Sequence, residues 1–143
     1  MLTEPVVPSA FWAEPDPAVD ALGVLHGNCA HCHHGTGDEA CATPACLTGL
    51  WFQAEVGLEH AQASQAWQTG VGARAVFGEF EPDATCRIAA GHPERSVTVL
   101  RMATRGSDSQ MPPIGTERVD PAGLQTVSAW ISDLPSGPEQ CEF

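Results

Sequence analysis

The chain predicts a mainly α fold of about four helices with an enlarged central loop region and room for a short pair of strands. Two segments carry most of that prediction. Each opens on Asp-Pro and continues with apolar residues at helical spacing, one from Asp16 and the other from Asp120. The third observation is length: 143 residues suit one compact domain, because a chain of this size buries one modest core and hardly two. The apolar fraction of 43% is ordinary, while 14 Gly and 12 Pro imply long stretches of turn and loop between the helices. A small core with that much loop usually needs a covalent or cofactor staple.

Residues 1–17 read as a Pro-rich tail or linker and residues 18–143 as the domain. Pro5, Pro8, Pro15 and Pro17 stand among small and acidic residues, a composition that resists regular structure and makes a neighbouring domain plausible. At Asp16 the pattern changes. Its carboxylate suits an N-cap, Pro17 suits the first helical turn, and Val19, Leu22, Val24 and Leu25 form an apolar stripe that delivers the chain to Cys29. Leu58–Thr69 is expected to be helical with Gly70 as its stop, and Ala73–Phe80 and Thr85–Ala89 to be short extended pieces. Pro93 and Glu94 open a helix to about Thr104, followed by a loop from Gly106 to Gly115. The last helix is capped by Asp120, carries Leu124, Val127, Ala129, Ile131 and Leu134 inside with Trp130 flanking, and stops at Pro135.

Six Arg, no Lys and 18 acidic residues give a formal charge of −12. Such a surface repels nucleic acid and anionic lipid. No apolar run approaches the ~20 residues needed to span a bilayer, so no membrane span is expected. The N-terminus shows neither a basic n-region nor an apolar h-region.

Cys29-Ala30-His31-Cys32-His33 is C-x-x-C-H, the attachment signature of c-type haem. Two thiols three positions apart are spaced to add to two vinyl groups on one porphyrin edge, which leaves the next residue placed to reach the iron. A neutral imidazole is a good iron ligand. Gln110-Met111-Pro112-Pro113 lies late in the chain, in a Gly/Ser/Pro loop just before the final helix. A thioether there, on the opposite axial face, favours reduced iron, and two prolines stiffen the loop that carries it.

The order of helix, CxxCH, loop with Met-Pro-Pro and C-terminal helix resembles the class I cytochrome c family. Asn28 to His33, Gly91-His92-Pro93-Glu94-Arg95-Ser96, Leu100-Arg101-Met102 and Met111-Pro112-Pro113-Ile114-Gly115 are similar to bacterial mono-haem domains often fused to larger periplasmic or surface proteins. The resemblance covers roughly residues 18 to 134. It implies a cytochrome c-like fold around one covalent haem c, attached at Cys29 and Cys32, with iron ligated by His33 and Met111. It also implies that the first and last helices cross beside the haem. The function implied is one-electron transfer rather than catalysis, as a periplasmic or otherwise extracytoplasmic carrier or as the electron-transfer domain of a larger oxidoreductase or surface protein. The missing lysines remove the docking ring of the best-known members, so the redox partner protein is expected to present a neutral or basic face. Residues 41–90 exceed what a minimal member needs.

Other readings use the same residues. An iron–sulfur or zinc site on Cys29, Cys32, Cys41 and Cys46 leaves His33 and Met-Pro-Pro as coincidences. A thioredoxin-like motif lacks the strand and βαβ setting around Cys29. The main alternative keeps the haem and leaves the sixth position open, giving a small-ligand sensor or a peroxidase-like enzyme. Met102 is expected in the core, His92 at a helix start, and His26, His31, His34 and His60 in solvated or hydrogen-bonded roles, with His34 also placed to line a haem edge. Trp51, Trp67 and Trp130 are expected to pack in the core or against the haem. Cys41, Cys46, Cys86 and Cys141 allow three connectivities, of which Cys41–Cys46 with Cys86–Cys141 is expected.

Overall fold

The computed structural model describes residues 16–35, 44–55, 57–136 and 141. The expected tail, save its last two residues, and the Cys41–Cys46 pairing lie outside them. The chain is mainly helical, with four α-helices and no strand among the described residues: α1 (Pro17–Cys29), α2 (Gln65–Gly70), α3 (Val97–Ala103) and α4 (Pro121–Asp133). Single 3-10 turns at Pro44–Thr48, Ala61–Ala63 and Pro93–Arg95 punctuate the connections.

Both Asp-Pro starts behave as local chemistry dictates. Asp16 accepts from the Ala18 amide at 2.8 Å and Asp120 from the Ala122 amide at 3.1 Å, each replacing a partner that the first turn of a helix lacks. Pro17 begins α1, so the helix starts one residue inside the segment assigned to the tail. The two capped helices make the most extensive helix–helix contact in the molecule. Leu25 of α1 and Val127 and Ile131 of α4 are fully buried along that seam. Gly123 lets the helices approach: a Cβ there would lie 3.2 Å from the Val24 side chain. One expectation is corrected on α4. Ala129 is exposed and Trp130 buried, because the inward stripe runs through Gly123, Val127, Trp130, Ile131 and Leu134.

The two other expected helices are each broken by a serine. Ser64 is extended, caps α2 by accepting from the Trp67 amide at 3.2 Å, and donates to the Ala61 carbonyl at 2.6 Å. Ser96 is extended between the Pro93–Arg95 turn and α3, accepting from the Ala89 amide at 2.8 Å and donating to the His92 carbonyl at 3.0 Å. Both hydroxyls are buried, and the competing side chain–backbone bonds end one element and start the next. The extended pieces appear as isolated bridges, Val71 with Ile88 and Arg74 with Cys86, rather than as strands. Cys86 and Cys141 form a disulfide with Cα atoms 5.3 Å apart, which fastens the C-terminus to this central segment as expected. No helix of the described residues is long and apolar enough to cross a membrane.

Candidate functional site

The last turn of α1 continues past its end. The amides of Cys32 and His33 donate to the Cys29 carbonyl at 3.1 and 2.8 Å, so Cys29, Cys32 and His33 sit around one tight turn. Neither cysteine is in a disulfide. The Cys29 thiol is pushed up to about 11 by burial and then by Cys32 beside it, so it is protonated at neutral pH.

His33 is held on two sides. Its Nδ1 lies 3.0 Å from the Leu50 carbonyl oxygen, and its own carbonyl accepts from the Phe52 amide at 2.8 Å. A carbonyl can only accept, so Nδ1 carries the proton and Nε2 keeps a lone pair. This is how proteins orient an imidazole that binds a metal through its other nitrogen. Phe52 meets the ring edge-on at a centroid distance of 5.5 Å. Burial lowers the His33 pKa; the Leu50 hydrogen bond opposes that shift, and the charges of Arg101, Arg87 and His31 add to it.

Cys29, Cys32, His33 and Met111 all border one cavity of about 440 Å³. Its lining is almost wholly apolar and is completed by Val97 and Met102 of α3, by Met111–Ile114, and by Ala75–Phe77. Met102 thus lines the cavity while also packing against the core. His31 borders it as well. His92 does not: it is half exposed, with Nδ1 3.2 Å from Glu94. His26 accepts from the Ala54 amide at 3.0 Å. Trp67 and Trp130 pack together at 6.4 Å, and the Trp51 ring covers Gly35 so closely that a Cβ there would lie 2.6 Å from it.

Two arginines complete the wall, Arg87, to which the sequence gives no role, and Arg101, which it offers only within Leu100-Arg101-Met102. Arg87 donates to the carbonyls of Arg74 at 3.0 Å, Gly49 at 3.0 Å, Thr69 at 2.7 Å and Thr48, tying three stretches of chain together behind the cavity. Arg101 pairs with Glu79 and holds the segment that carries Val76 and Phe77. Arg87 and Arg101 both border the cavity, and no Asp or Glu does among the described residues. These partners are remote in sequence and leave no local signal.

No family model, curated protein or solved structure matches the chain. Among the described residues no three His, Cys, Asp or Glu side chains converge as a metal site. What the cavity does offer suits a flat apolar macrocycle with a metal at its centre: apolar walls bordered by an imidazole with its second nitrogen fixed by a carbonyl, by two methionines and by two cysteines.

Proposed function

We propose that this protein carries single electrons on a c-type haem held at Cys29 and Cys32, with His33 and Met111 as axial ligands. The observation that carries the reading is the joining of CxxCH and Met-Pro-Pro, far apart in sequence, on the walls of one apolar cavity whose histidine already has its Nδ1 committed to the Leu50 carbonyl. When bound, the haem supplies a ferric/ferrous couple.

The chain's own residues do the rest. Cys29 and Cys32 would hold the group, each thiol offering an S–H that can add across one vinyl group to leave a thioether, which needs no oxidant. Leu50 holds the His33 ring in the tautomer that presents Nε2. The apolar walls would exclude water from the group, and the Arg87 charge would favour its less positive, reduced state, whereas the Arg101 charge is offset by Glu79. The Cys86–Cys141 disulfide supports an extracytoplasmic site, where haem attachment also takes place. A net charge of −12 without lysine supports a redox partner with a neutral or basic face.

The test is a set of optical spectra, oxidised and reduced, of protein expressed with haem-attachment machinery. The reading expects a covalent c-type spectrum and the weak near-infrared band of methionine sulfur on ferric iron. No band together with carbon monoxide binding by the ferrous protein would turn the assignment to the open-site sensor or peroxidase.

A further inference from the structure

We propose that Arg105 is the positioning residue that keeps Met111 on the iron, an inference that rests on the axial assignment above. α3 ends at Ala103, and its final carbonyls have no onward helical amides to accept from. Arg105 stands just beyond. Its Nη1 donates to the Met102 carbonyl at 2.9 Å and the Thr104 carbonyl at 2.6 Å, where the negative end of a helix favours a guanidinium. The same nitrogen reaches the Met111 carbonyl at 3.4 Å.

The other backbone polar group of Met111 goes to the same place. Its amide donates to the Arg101 carbonyl at 3.0 Å. Both ends of the Met111 peptide frame are therefore referred to the last turn of α3, whose first turn is anchored by buried Val97 and Val99. The loop around Met111 has no regular structure of its own. Gln110 braces it, accepting from the Gly106 amide at 2.9 Å and donating to the carbonyls of Pro112 at 3.2 Å and Thr116 at 3.1 Å. Gln110 joins the loop to itself, whereas Arg105 and Arg101 join it to a helix.

A cost accompanies this placement. Arg105 Nε is buried with no acceptor among the described residues, a desolvation that a side chain without a task avoids by turning to solvent. A neutral thioether is a weak ligand, so its occupancy depends on how far the loop is ordered in advance. Arg105 supplies that order without touching the iron.

The experiment compares the haem-loaded full chain with its Arg105→Gln and Arg105→Lys variants, using imidazole as a competitor for the sixth position of the ferric protein. R105Q is expected to raise the apparent imidazole affinity on the order of tenfold, the effect of losing a hydrogen bond from a charged donor. The near-infrared methionine band should weaken, and the Met111 amide should exchange its hydrogen faster. R105K keeps a charge but not the fork and should fall between R105Q and the parent. R118Q removes a charge from the same region and should leave imidazole affinity as in the parent. Unchanged affinity, band and exchange in R105Q overturn the proposal; if R105Q fails to load haem, parent-like values in R105K do so. A parent lacking the methionine band sinks the axial assignment and the clamp together, whereas a parent with the band and an indifferent R105Q sinks the clamp alone.

Discussion

The two walls of the cavity are held by different kinds of interaction. The cysteine wall extends a capped helix: α1 packs along α4, the turn after Cys29 is closed by backbone bonds, and His33 is oriented by the Leu50 carbonyl. The methionine wall is an irregular loop with one backbone bond to α3, from the Met111 amide, and is otherwise held by side chains, with Arg105, Gln110 and Thr116 reaching backbone carbonyls. Backbone bonds and burial survive most single substitutions, while a loop braced by side chains can be loosened by one. The cysteine wall is thereby rigid and the methionine wall adjustable, as the proposed function would require of a lasting covalent link and a tunable potential.

The largest expected effect falls on the rigid wall. Replacing both thiols, Cys29→Ser with Cys32→Ser, should abolish covalently held haem; haem that still survives acidified-solvent extraction refutes the attachment. Next comes the adjustable wall. Met111→Ala should open the sixth position without loss of the haem, and a ferrous protein that still refuses carbon monoxide, with ligand-field bands unchanged, would assign the thioether elsewhere, Met102 first.

Leu25→Ala, at the fully buried centre of the α1–α4 seam, should cost roughly 2 to 5 kcal/mol in denaturant unfolding, since a cavity opens among close-packed neighbours. A loss well under that range would mean the seam is not what stiffens the cysteine wall. Cys141→Ser frees a bridge with a sequence separation of 55 and should cost about 4 kcal/mol or somewhat less by loop-closure entropy, read from the denaturant midpoint. Its optical spectrum should not change, because neither Cys86 nor Cys141 borders the cavity. Smallest is Asp120→Ala, about 1 kcal/mol for a lost N-cap, with haem ligation untouched.

Most of the helical skeleton was legible because its signals are local. An Asp before a Pro sets a helix start whatever surrounds it, and both such starts are present as read. The errors came where distant contacts decided. Leu58–Thr69 and Pro93–Thr104 look continuous in propensity, yet Ser64 and Ser96 are buried and spend their hydroxyls on the backbone, which breaks both. The helical stripe leaves Trp130 at its flank, but packing against Trp67 draws it in.

For the proposed site, residue type and order single out Cys29, Cys32, His33 and Met111, since the chemistry of thiol, imidazole and thioether travels with the side chain, and the fold brings all four to one cavity. Only the tertiary structure decided what surrounds them: that Leu50 orients His33, that Arg87 and the Arg101–Glu79 pair stand at an otherwise apolar cavity, and that Arg105 ties the Met111 loop to α3. The physical reason is range. Caps, turns and attachment spacing act over a few residues and are written in the sequence, whereas carbonyl acceptors are identical at every position and acquire identity only when folding brings one of them to a particular donor.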